Sequence, residues 1–127
     1  MNPIDLNPSA VNPIDLNPSA VNPIDLNPID LSATASALPA AWESQLLEQV
    51  GTAAVKVLRM GGRPLPVESH DNPEVLLVLD GRLELLLDGA ELTVGPGELH
   101  RIPARVPHAV RPGSRGTLLI VEVPEGE

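Results

Sequence analysis

The chain has 127 residues and a net charge of -9, from 8 Lys plus Arg against 17 Asp plus Glu, the wrong sign for a protein that must neutralise phosphates. It contains no Cys, which excludes disulfides and a thiolate zinc site and leaves packing, or a metal held by His and carboxylate, to support the fold. Trp42 is the single aromatic residue, so the core must be aliphatic and a ligand must be recognised through charge, hydrogen bonds, aliphatic shape or a metal rather than by stacking.

The first 31 residues form a repeat of period five, NPIDL alternating with NPSAV. Proline at every fifth position removes a backbone donor and excludes a helix, and six units are too few to bury a continuous core in the manner of the pentapeptide-repeat proteins that the pattern partly resembles. Residues 1–31 are therefore expected to be a disordered or surface-draped arm. In residues 32–51, SATASALPAAWESQLLEQVG, the composition predicts a short helix from about Pro39 to Val50, with Ser36 as N-cap, Gly51 as stop, and Trp42, Leu46 and Val50 on one face. Trp42 reads as a hydrophobic plug against the sheet that follows.

From residue 52 to 127 the pattern is β. AAVKVLRM alternates as a strand, and VLLVLDGRLELLLDGAELTV holds two Asp-Gly pairs between aliphatic runs, which predicts three antiparallel strands joined by two-residue turns at 80–81 and 88–89. GPG at 95–97, ELHRIP, a strand opening near His108, PGSRG at 112–116 and TLLIVEV complete six to eight short strands, the spacing of a sandwich or barrel. The longest apolar run, Val75–Leu79, is far short of the ~20 residues that a membrane helix needs. The N-terminus shows neither the basic nor the apolar region of a signal peptide, so a cytoplasmic protein without membrane or nucleic-acid partners is expected.

All three His, His70, His100 and His108, lie in the β region. Glu68, His70 and Glu74 stand at even spacings and would share a face of a regular strand, although Asp71, Asn72 and Pro73 interrupt the run. Gly62, Glu68, His70, Glu74 and Gly81 form one spaced segment, and Gly97, Pro103 and His108 a second. These segments resemble the two motifs of the cupin family, G(X)5HXH(X)3-4E(X)6G and G(X)5PXG(X)2H(X)3N. Glu68 replaces the first His, and Arg105 and Pro112 replace a Gly and the Asn of the second motif.

The resemblance covers about residues 53–123 and implies an all-β, jelly-roll barrel, preceded here by the short helix and the arm. It also implies a divalent metal ion, Fe, Mn, Ni, Co or Zn, held by Glu68, His70, Glu74 and His108, and a homodimer, the common assembly of single-domain members. Two imidazoles and two carboxylates suit such an ion and leave coordination positions open. His100 falls outside both motifs and reads as a pocket or surface residue, and Arg101 and Arg105 read as salt-bridge partners of nearby carboxylates, with an anionic substrate as the alternative partner. Three functions follow as expectations: a metal-dependent enzyme of dioxygenase, isomerase or lyase type acting on a small molecule inside the barrel; a non-catalytic small-molecule binding or sensing module with the metal structural or absent; or an interaction tag, the Asn-Pro arm, displayed by a stable barrel.

Overall fold

A computed structural model describes residues 24–125 of the chain. Most of the repeat, and with it most of the expected arm, lies outside these residues. The elements are helix α1 (Leu31–Ser36) and strands β1 (Gln45–Val50), β2 (Ala53–Met60), β3 (Leu65–Glu68), β4 (Glu74–Leu87), β5 (Ala90–Val94), β6 (Leu99–Ile102), β7 (His108–Val110) and β8 (Arg115–Glu122). Every strand pairing is antiparallel, and the strands close into a jelly-roll barrel of two sheets, β1-β2-β8-β4-β6 and β5-β4-β7-β3, that share β4.

A short helix does precede the barrel, but at Leu31–Ser36 and not at Pro39–Val50. Its N-cap is Asp30, the acid of the last repeat unit, which accepts the Ala33 N–H at 3.0 Å; Ser36 is the helix's last residue. The guanidinium of Arg59 on β2 donates to the carbonyls of Ala35 at 2.8 Å and Leu38 at 3.0 Å, and so satisfies acceptors that the helix end leaves open. Residues 45–50 are a strand because the Gly51-Thr52 turn, with Gly51 at φ 60, returns the chain so that Val50 pairs with Ala53 and Gln45 with Val57. Tertiary pairing outweighs the helical propensity of QLLEQV. Leu46 and Val50 are exposed on this outer strand rather than aligned with Trp42. Trp42 itself packs against the core as a plug, with its backbone N–H bonded to the Arg59 carbonyl at 2.8 Å.

The two Asp-Gly pairs have different fates. Asp88-Gly89 is the expected two-residue turn, with φ of 50 and 84 and Leu87 paired to Ala90. Asp80-Gly81 is no turn: β4 runs through it for fourteen residues. An extra residue at Leu79 shifts the pairing with β8 between Val78 and Asp80, and the buried positions change parity from Leu76 and Val78 to Leu83 and Leu85. A β-bulge produces this outcome, since one inserted residue flips the faces that follow. Gly81, at φ 79, faces Gly116, at φ 100, and a Cβ on either would overlap the backbone of the other strand. The bend lets β4 pass from one sheet to the other. Both halves feed one aliphatic core, Leu58, Met60, Leu76, Val78, Leu83, Leu85, Val94, Ile102 and Leu118.

Candidate metal centre

The first-motif residues do not share a regular strand. Glu68 ends β3, His70 lies in the loop 69–73 and Glu74 opens β4, the interruption that Asp71, Asn72 and Pro73 predict. They converge because antiparallel pairing brings the start of β7 to the end of β3, where Glu68 and His108 are directly opposite. Side chains so paired have Cβ atoms about 5 Å apart. The loop is fixed from the other side by the Arg105 N–H, which donates to the His70 carbonyl at 2.7 Å. Arg105, in the place of a motif glycine, takes φ 64.

One donor atom from each of Glu68, His70 and His108 lies within 4.8 Å of the others. His70 Nε2 is 3.1 Å from Glu68 Oε1, and the two imidazole centroids are 5.2 Å apart. Glu74 stands outside this trio but against it, with Oε2 3.3 Å from His108 Nε2. His108 Nδ1 is turned outward, 3.0 Å from the Val106 carbonyl, which places the ring proton there and leaves the Nε2 lone pair facing inward. Two groups that both accept, an ionised Glu74 and the Nε2 of His108, face each other and need a proton or a cation between them.

Glu74 is the electrostatically costly member. Burial pushes its carboxyl above the ordinary carboxylate range; the charges of His108 and His70 pull it down, and Glu122 and Glu68 push it up. Glu122 is paired with Glu74 across β4 and β8, and its own charge is met by Lys56 Nζ at 2.7 Å. The donors line a cavity of ≈ 250 Å³ whose remaining wall is largely aliphatic, including Leu76, Leu83, Leu85, Ile102, Leu118 and Ile120. A second cavity of ≈ 260 Å³, lined by Lys56, Asn72 and Glu125, shares His70, Glu74 and Glu122 with it.

His100 lies on β6 opposite Leu76 and lines a separate surface groove with Leu92, Val94 and Glu98, away from the donors. Arg101 and Arg105 form no ion pair among the described residues, which corrects the salt-bridge expectation; the ion-pair network lies instead at Arg82, Glu84, Arg111 and Glu91. The sequence reading missed Glu125, whose Oε2 accepts the Asp71 N–H and stands 3.6 Å from His70 Nδ1. It also missed the Lys56–Glu122 pair. Neither belongs to a spaced motif, and an isolated acid in a C-terminal tail carries no signal of its destination.

A family profile described as a cupin domain matches residues 55–124. Quercetin 2,3-dioxygenase of Bacillus subtilis is 43% identical over 67 residues, which are 50% of this chain and 20% of that protein, so the chain spans about a fifth of its relative's length. Among solved structures, a cupin-2 domain containing protein from Shewanella frigidimarina superposes with a TM-score of 0.69 at 21% identity, covering 76% of this chain and 94% of that one. A cupin superfamily protein from Desulfitobacterium hafniense gives 0.67 at 18% identity, covering 80% and 94%. With the barrel, the two spaced motifs and the profile in agreement over the same residues, the chain belongs to the cupin family.

Proposed function

We propose that Glu68, His70, Glu74 and His108 hold a divalent transition-metal ion and that the protein acts on a small molecule in the adjoining cavity, with oxygen-dependent ring or bond cleavage as the first reaction to test. The observation that carries this reading is the convergence of Glu68, His70 and His108 within 4.8 Å, with the largely shielded Glu74 at 3.3 Å from His108. Both carboxylates would offset the charge of the ion, and the ion would offset the cost of burying Glu74. When bound, such an ion supplies Lewis acidity or oxygen activation at its open positions. The chain supplies the rest. The aliphatic wall excludes water and takes the apolar body of the ligand, while the absence of aromatic residues there restricts recognition to shape and to the polar mouth. The dioxygenase reading draws on the 43% identity to a quercetin dioxygenase over 67 residues.

The test is metal content by mass spectrometry after purification and after reconstitution, followed by oxygen uptake with quercetin and smaller enols. Near-stoichiometric metal in the wild type and about tenfold lower occupancy in His70→Ala are expected. Equal occupancy in both proteins would sink the assignment. One observation favours a second reading, a non-catalytic binding module: Glu68 is half exposed and already pairs with His70, so the cluster can close as ion pairs without a metal. Ligand binding by protein treated with chelator, with no turnover after reconstitution, would select it.

A further inference from the structure

The two imidazoles of the site pose the same geometric problem and solve it with different partners. An imidazole can offer its Nε2 lone pair to a cation only when the ring proton is on Nδ1, and that proton needs an acceptor. For His108 the acceptor is the Val106 carbonyl at 3.0 Å. For His70 no backbone oxygen among the described residues takes this role; the group facing Nδ1 is the carboxylate of Glu125, at 3.6 Å. Glu68, 3.1 Å from Nε2, draws the proton to the opposite nitrogen, the wrong one for ligation.

We infer that Glu125 is a positioning residue for His70: it accepts Nδ1–H from outside the cavity and so turns the Nε2 lone pair toward the metal position. The inference rests on the metal reading above and adds a residue that neither family motif contains. Three observations carry it. The Glu125 carboxylate is already anchored by the Asp71 N–H. The tail that bears it is held by Asn72 Nδ2, which donates to the Val123 carbonyl at 3.4 Å. The loop that carries His70 thus grips its own acceptor through the next two residues. Finally, the loop's other side is clamped by Arg105 N–H on the His70 carbonyl, so the ring is bounded from both sides. The 3.6 Å separation is longer than a hydrogen bond, so the contact requires a closer approach of about 0.5 Å between the loop and the tail.

The experiment uses the full chain and the variants Glu125→Ala and Glu125→Gln. Histidine ¹⁵N spectra of the metal-free protein, taken in alkaline buffer above the ordinary histidine range, report the His70 tautomer directly. Titration with Co(II) reports affinity. The expected result is a smaller Nδ1–H population and about tenfold weaker Co(II) binding in Glu125→Ala, with both largely retained in Glu125→Gln, which keeps an acceptor oxygen. An unchanged tautomer in Glu125→Ala overturns the inference whatever happens to affinity. An equal loss in both variants also overturns it, because the effect would then be one of charge. If the wild type binds no Co(II), the metal reading fails; a tautomer shift confined to Glu125→Ala would still establish Glu125 as the partner of His70.

Discussion

Gly81 and Gly89 both follow an aspartate and both have positive φ, yet they separate two effects that glycine substitutions usually mix. At Gly89, φ 84, an added Cβ meets nothing within 4 Å, so Gly89→Ala should cost only the left-handed backbone penalty, about 1 kcal/mol. At Gly81, φ 79, the same methyl would overlap the Arg115 carbonyl and the Gly116 Cα, and Gly81→Ala should cost about 3 kcal/mol or fail to fold. Urea denaturation of the two variants measures the difference, and equal midpoints would show that the crossing of β4 and β8 has slack. The pair also shows what was legible at this scale. Asp-Gly marks a place where positive φ is tolerated, but whether the chain turns or bulges there is decided by the strand opposite, and Gly116 lies 35 residues away. Glu68, His70, Glu74 and His108 could be singled out because their spacing is a pattern, and the structure gathers them in one place; Glu125 could not, because its neighbour is fixed only when the chain after β8 folds back on the loop.

Elements, too, were readable wherever local and tertiary preferences agree. The turn residues Asp88-Gly89 and Gly95–Gly97 end strands as expected, and AAVKVLRM forms strand β2, although Val57 and Leu58 are both buried. The failure at Pro39–Val50 arises because β1 is an exposed edge strand with the burial pattern of neither a helix nor a half-buried strand. Only the Gly51-Thr52 turn between two apolar residues hinted at a hairpin. The edge of the second sheet is pinned by a polar ladder: Glu84 on β4 accepts from the Thr93 hydroxyl of β5 at 2.6 Å and pairs with Arg111 and Arg82. The Thr93 hydrogen bond and these two cations hold the Glu84 carboxyl below its ordinary range, against a smaller opposing effect of burial. A carboxyl with a lowered folded-state pKa adds stability above its unfolded value near 4.5, and the contribution is lost as pH falls through the folded value. Glu84→Gln should therefore be less stable than wild type at neutral pH, with the gap closing below about pH 4.5. Thermal denaturation across this range checks the sign; a gap constant with pH would remove Glu84 from the account.

At the scale of the whole molecule, a bound ion would tie β3, the loop 69–73, β4 and β7 together at one end of the barrel. Binding to the folded state alone raises stability by about 2.7 kcal/mol at a hundredfold excess over Kd. The melting temperature should rise with Co(II) or Mn(II) in the wild type and stay flat in His108→Ala. A rise of equal size in both would indicate that the metal acts elsewhere on this acidic surface.

The bend in β4 has a further consequence, for how the protein opens. β4 forms hydrogen bonds with β6 and β8 through its first half and with β5 and β7 through its second. A sandwich of two separate sheets can release one and keep the other, but here neither sheet can leave without breaking the strand that both require. Amide protons at Leu76, Val78, Leu83 and Leu85 should then exchange together, at the rate set by global unfolding, while those of β1 exchange through local fraying. Glu74 and the cavity-wall residues Leu76, Leu83 and Leu85 lie on this strand, so that part of the site is lost only with the fold, whereas Glu68 and His70 stand on β3 and the loop 69–73 beside it.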